Sequence, residues 1–264
     1  MNKITNRYNY YVNKIQYYFA TRKTKKYSQK LSFNEAVKKF INRNELYLYM
    51  HHYLHFLAKP IFREHRKYFK QEGRGFGEDA LHSMWILLFK QYKPKNVLEI
   101  GVYRGQTVTL WGLISKTYKF NCEVHGISPF SSAADGVSVY RNDIDYLEDT
   151  ISSNNKFNLN KIKFHKGFSN SPDAINYIKN KKWDLIYIDG NHDFDVALSD
   201  YLVSKENLSK NGILVLDDSS LYTAYSPKKF AFAGHPGPSK VFRDYAMNEM
   251  TFLGGIGHNN IFMK

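Results

Sequence analysis

Residues 96–118, NVLEIGVYRGQTVTLWGLISKTY, change character at Gly101. The apolar run of Val97, Leu98 and Ile100 gives way to a turn bounded by Gly101 and Gly105, and then to a stretch with helical spacing. A short buried strand, a tight turn and a helix make half of a βαβ unit. The rhythm repeats downstream. CEVHGIS (122–128) precedes a helix containing DIDYLEDTIS, IKFHKG (162–167) precedes SPDAINYIKN, WDLIYID (183–189) precedes DVALSDYLVSKENL, and GILVLDD (212–218) ends the series. This alternation predicts right-handed crossovers and a Rossmann-like, doubly wound, mostly parallel α/β sheet covered on both faces. The tail MTFLGGIGHNNIFMK reads differently, and two short strands around Gly257-His258-Asn259 predict a C-terminal antiparallel hairpin at the sheet edge.

Upstream of the sheet, Ser32 to about residue 72 reads as a helical extension. Ser32 with Glu35 forms a capping-box pattern, and Asn44 is the expected cap of a second helix that stops before Pro60. The chain thus divides into a basic leader with a helical region, 1–72, and an α/β domain, 73–264. Of the formal charge of +14, residues 1–30 supply +8 through Lys3, Arg7, Lys14, Arg22, Lys23, Lys25, Lys26 and Lys30, with no acid. Tyr8, Tyr11, Val12, Ile15, Tyr18 and Phe19 recur at helical spacing before the basic run TRKTKKYSQK (21–30). That pattern suits peripheral contact with an anionic membrane, or packing on this protein or its twin, and the aromatic helices favour a homo-oligomer. No nucleic-acid module accompanies the basic residues, so no nucleic acid is expected.

The single cysteine, Cys122, excludes an intrachain disulfide framework. With no apolar run of membrane-spanning length and no hydrophobic signal core, the expected location is cytoplasmic. His51 and His55 have the one-turn spacing that metals use, but without a third ligand nearby in sequence they read, like His52 and His65, as helix-surface or interface histidines.

In an open parallel sheet, ligands bind beyond the C-terminal strand ends. Here those are Glu99 to Gly105, Ser128, Gly167 to Asn170, Asp189 to His192, and Asp217 with Asp218. The first loop has Val102-Tyr103-Arg104 where a dinucleotide fingerprint needs glycine and small residues, which places a nicotinamide-dependent dehydrogenase last. Glu99 suits a cationic or amino-bearing ligand instead. Asp189, Asp217 and Asp218 would repel one another unless a hard cation, Mg2+ first, were held between them; the plainer alternative is a helix cap and a solvated loop. His192, three residues after Asp189, reads equally as a general base or as a capping histidine.

The loop with Glu99, Gly101 and Gly105 resembles motif I of class I S-adenosylmethionine-dependent methyltransferases, a likeness that covers roughly residues 73–264. It implies S-adenosylmethionine as cofactor, with Tyr103 and Asp189 also beside it. Ser128 stands where such enzymes usually carry the acid that takes the ribose, and Ser169, in HKGFSNS (165–171), falls where they hold the adenosine. The set D-x-x-H plus an acidic pair resembles metal-dependent sugar O-methyltransferases of the macrocin and mycinamicin type, although Asp217 replaces a frequent Glu. This implies Asp189, Asp217 and Asp218 as Mg2+ ligands and His192 as general base, acting on a sugar or glycan hydroxyl. The alternatives are a phenolic or other small-molecule acceptor, or a non-catalytic methyltransferase-fold scaffold. EGRGFGEDALHSMW (72–85) and FAFAGHPGPSKVFRDY (230–245) are candidate substrate walls, with Arg74, His235 and Ser239 as possible contacts.

Overall fold

The computed structural model describes residues 25–132, 134–226 and 232–264, with Val12, Ile15, Gln16, Tyr18 and Phe19 before them. The leader residues Lys3, Arg7, Tyr8, Tyr11, Lys14, Arg22 and Lys23 lie outside the described residues. Tyr18 packs on Phe56, with ring centroids 5.3 Å apart.

Among the residues from 25 onward, four α-helices precede the sheet: α1 (Phe33–Lys39), α2 (Arg43–His52), α3 (Pro60–Lys70) and α4 (Asp79–Tyr92). Ser32 and Glu35 make the expected reciprocal capping box. The cap of α2 is Asn42, not Asn44: its Oδ1 accepts from the Asn44 and Glu45 amides at 2.9 and 3.3 Å. An asparagine two residues upstream satisfies both orphan donors, and Asn44 belongs to the first turn. A π-helical turn, Tyr53–Leu57, extends α2, and the chain leaves the helix at Ala58, just before Pro60.

Strands then alternate with helices: β1 (Asn96–Ile100), α5 (Gln106–Tyr118), β2 (Glu123–Ser128), α6 (Tyr146–Lys156), β3 (Lys163–Lys166), α7 (Pro172–Lys179), β4 (Trp183–Ile188), α8 (Phe194–Asn207) and β5 (Leu208–Leu216). After a short helix, α9 (Pro236–Val241), and a second π turn at Phe242–Ala246, β6 (Thr251–Ile256) and β7 (Asn259–Met263) form the hairpin. The seven strands are ordered β3-β2-β1-β4-β5-β7-β6. The first five run parallel, while β7 joins β5 antiparallel and β6 is the edge. This is the expected mostly parallel Rossmann-like architecture with its antiparallel C-terminal strands and N-terminal helices.

Neighbouring strand residues point to opposite faces, and the two cores follow that alternation. Val97, Tyr187 and Val215 pack with Trp85, Trp111 and Met50 on one face. Leu98, Ile186, Leu214 and Leu216 pack with Ala197, Tyr201 and Val241 on the other. Residues of α2 and α4 therefore share a core with the strands. Arg43 fastens the hairpin to this layer, donating to the Gly257 and Asn259 carbonyls, Asn260 Oδ1 and Ser220 Oγ. A Cβ at Gly255 would lie 2.2 Å from that guanidinium, so a side chain there would displace Arg43 from these hydrogen bonds.

Candidate active site at the strand ends

The parallel ladder sets the depth of each functional group. Gly101 N–H donates to the Ile127 carbonyl, Asp189 N–H to Ile100, and Asp217 N–H to Ile188, so the ends of β2, β1, β4 and β5 stand side by side. Gly101 has φ +101° and a Cβ there would meet the Asp189 carbonyl at 1.8 Å. Only glycine lets the two loops touch in this way. Beyond them lies a cavity of about 830 Å³ lined by Glu99, Gly101, Tyr103, Ser128, Ser169, Asp189, Asp217 and Asp218, with His192, His235 and His258. That volume is in the range of small-molecule and cofactor sites.

Glu99 lines this cavity and is buried. Burial pushes its carboxyl up to about 8 against the opposing pull of the Thr107 side chain and the Val108 amide. Its Oε2 is buried without a hydrogen-bond partner. A buried carboxyl oxygen without a partner is costly unless a cationic or donor group completes it. Ser128 is placed at the cavity wall but turned to its own backbone, donating to the Val102 carbonyl and accepting from the Phe130 amide. Ser169 also lines the cavity while donating to Asp200. Asp200 is fully buried, and burial pushes its carboxyl up to about 7. Tyr103 packs with Phe76, Tyr140 and Tyr146 at the opening.

The three aspartates converge. Burial, followed by the charges of Asp217 and Asp218, raises the Asp189 carboxyl well above the usual range, and Asp189 hydrogen-bonds Asp217. For Asp217, burial acts upward, but the cationic His258 imidazole and its hydrogen bonds hold it below the usual carboxylate range. Asp218 has φ +47°, the left-handed region that an aspartate tolerates better than most residues. His192 Nε2 lies 3.2 Å from Asp218 Oδ2 and its Nδ1 lies 2.7 Å from Asp135 Oδ2. Burial lowers the His192 pKa, but Asp218 and Asp135 together raise it above the ordinary value. His235 sits against His192 with ring centroids 4.2 Å apart, and its Nε2 is 3.7 Å from Asp218.

Two members of this cluster carry no signal in sequence. His258, from the turn of the C-terminal hairpin, places Nε2 3.3 Å from Asp217 and 3.8 Å from Asp218. Burial opposes its charge, yet Asp217 dominates and pushes its pKa up to about 10. The Gly257-His258-Asn259 turn was legible as a turn, and only the pairing of β7 with β5 brings it here. Asp135 comes from the long connection between β2 and α6, where Asp-Gly signals a turn and nothing more.

The residues fit a divalent cation by their donor chemistry. One ligand atom each from Asp217, Asp218 and His258 lie within 4.8 Å of one another, as do those of His192, Asp218 and His235. Asp189 adjoins through Asp217. Burial and the neighbouring carboxylates favour a proton on Asp189, and Asp217 favours one on His258.

The two suggested substrate walls separate. Arg74 lines the cavity while its guanidinium pairs with Asp149 and Glu72. From Asp79 onward the first wall is the buried helix α4, not loop. Ser239 is fully buried, accepting from the Leu221 amide and donating to the Asp218 carbonyl, and so lies behind the site. His51 and His55 do have a third group in reach, Asp79, at 3.8 and 2.8 Å. Asp79 also pairs with Arg66 and Lys70, so its charge is already matched.

Residues 98–219 match the family model described as a methyltransferase domain. No curated protein sequence matches the chain. Among solved structures it is similar to an O-methyltransferase from Bacillus cereus in complex with S-adenosylhomocysteine, at 13% identity and TM-score 0.52, over 79% of this chain and 93% of that one. It is likewise similar to a putative caffeoyl-CoA O-methyltransferase from Staphylococcus aureus (17%, TM-score 0.55, 84% and 100%) and to the O-methyltransferase TomG from Streptomyces achromogenes in complex with S-adenosylmethionine (12%, 0.53, 80% and 93%). The chain has the fold of the class I S-adenosylmethionine-dependent O-methyltransferases.

Proposed function

We propose that the protein is an S-adenosylmethionine-dependent, Mg2+-assisted O-methyltransferase acting on a hydroxyl of a sugar or glycan. One observation carries the reading: three converging carboxylates and an imidazole face a cavity that is also lined by Glu99, whose Oε2 is buried without a partner. S-adenosylmethionine supplies a methyl group already activated by its sulfonium charge. A divalent cation held by Asp189, Asp217 and Asp218 would lower the pKa of a neighbouring alcohol, which is the harder half of the reaction.

The chain's own groups do the rest. Glu99 offers a carboxylate to the positive donor, and that charge would restore its ionisation. The glycine turn lets backbone approach the ligand, and Tyr103 closes the opening beside Phe76. His192 accepts the acceptor's proton at Nε2, the nitrogen that faces the carboxylate cluster. To do so it must be neutral. A cation on Asp218 would offset one of the two carboxylates that hold a proton on this ring.

The rim favours one second reading. Phe76, Phe168 and Phe232 are exposed at the cavity, an aromatic collar that suits a phenol as well as the apolar face of a pyranose. Both readings are tested with methyl-labelled S-adenosylmethionine against methyl pyranosides of gluco, galacto, manno and rhamno configuration and against catechol, each with Mg2+ and with chelator. Labelled pyranoside formed only with Mg2+ supports the leading reading. Labelled catechol alone supports the second, and no labelled product from any of them counts against both.

A further inference from the structure

We infer that Asp135 is the positioning residue of the base: it fixes the His192 imidazole with Nδ1 turned away from the cluster and joins one wall of the cavity to the loop that carries His192. The inference rests on the reading of His192 as base. Asp135 Oδ2 accepts twice from one residue, from His192 Nδ1 at 2.7 Å and from the His192 amide at 3.1 Å. Ring and backbone are thereby held together, so the imidazole cannot rotate about its side-chain bonds without losing the first contact. The ring's other nitrogen is then left toward Asp218.

Asp135 is itself held from its own side of the cleft. Its Oδ1 accepts from the Val137 and Ser138 amides at 3.2 and 2.6 Å, and Ser138 Oγ donates to Oδ2 at 2.9 Å. The side chain is wholly covered. The residues that follow it, Val137, Ser138, Val139 and Tyr140, line the cavity. One carboxylate therefore couples a wall of the site to the group that works in it. A carboxylate on the far nitrogen of a working histidine sets its orientation and tautomer, which a carboxamide in the same place does not reliably do.

Each partner can be read from the other. In nitrogen-15 spectra of the protein, alone and with S-adenosylhomocysteine and Mg2+, the His192 ring Nδ1 proton should appear as a slowly exchanging, downfield signal. Asp135→Ala should remove it, and Asp135→Asn, which preserves shape, should shift it and speed its exchange about tenfold, the equivalent of one charge-assisted hydrogen bond. Conversely, His192→Ala leaves Asp135 in place, yet the Val137 and Ser138 amides should exchange faster. In the double variant the losses should not add. An unchanged ring signal in both Asp135 variants, or strictly additive effects on exchange, would overturn the inference. Failure of S-adenosylhomocysteine to bind would instead count against the proposed function, since the signals of the free protein decide Asp135 on their own.

Discussion

Asp79 in the helical region and Asp189 at the strand ends differ in how their charge is met. Asp79 in the helical region faces His51 and His55, and Arg66 and Lys70 also close on it. Burial pushes its carboxyl upward, but His55, Arg66 and Lys70 outweigh this and hold it well below the usual range. Asp189 has no such company: its neighbours include Asp217, Asp218 and Glu99, and its carboxyl is raised well above the usual range. The first cluster is complete as it stands. In the second, burial and the neighbouring carboxylates favour a proton on Asp189.

The contrast can be broken most forcefully at Asp189. Asp189→Ala should cost about a thousandfold in methyl transfer, several kcal/mol of transition-state stabilisation, with little loss of melting temperature. Single-turnover rates with Mg2+ and calorimetric Mg2+ titration check this together. Asp79→Ala should do the reverse. Leaving Arg66 and Lys70 without their carboxylate should lower the unfolding free energy by about 3–5 kcal/mol, seen by denaturant titration, while Mg2+ affinity is unchanged. Equal losses of Mg2+ binding in both variants would erase the distinction.

A smaller effect is expected at His192. His192→Ala should slow methyl transfer about a hundredfold and leave donor affinity intact. Full activity in that variant across neutral pH would remove the base assignment.

The smallest effect concerns pH. Glu99, with a folded pKa of about 8 against an ordinary 4.5, binds its proton more tightly in the folded chain. Its contribution is fully present below about 4.5 and is lost as pH rises through 8. Melting temperature of the ligand-free protein should therefore fall across that window, and above pH 7 Glu99→Gln should flatten the decline. Below pH 7 Asp200, pushed up to about 7, adds a slope of the same sign that the Glu99 variant retains. A Glu99→Gln protein with an unchanged slope from pH 7 to 9 would contradict the buried, protonated acid.

What the sequence disclosed follows from what is local. The strand–turn–helix alternation, the glycines at 101 and 105, and the acids ending β4 and β5 are written in contiguous residues, and strand-end geometry brings them together without further information. His258 and Asp135 were hidden because each reaches the site through a connection that no periodicity encodes: one by a hairpin joining β5, the other by a loop. Asp79 was missed beside His51 and His55 for the same reason, since α4 reaches them through tertiary packing across 24 residues. The burial of Asp200 has the same tertiary origin: the β3–α7 loop carries Ser169, whose Oγ donates to Asp200 Oδ2 at 2.9 Å.

The most direct test is calorimetric titration of S-adenosylmethionine into the whole protein, with Mg2+ and with chelator. One donor should bind per chain, and Glu99→Gln should weaken it about tenfold through loss of a buried charge-assisted contact. Absence of binding under both conditions, with no shift in melting temperature, would contradict the proposed function.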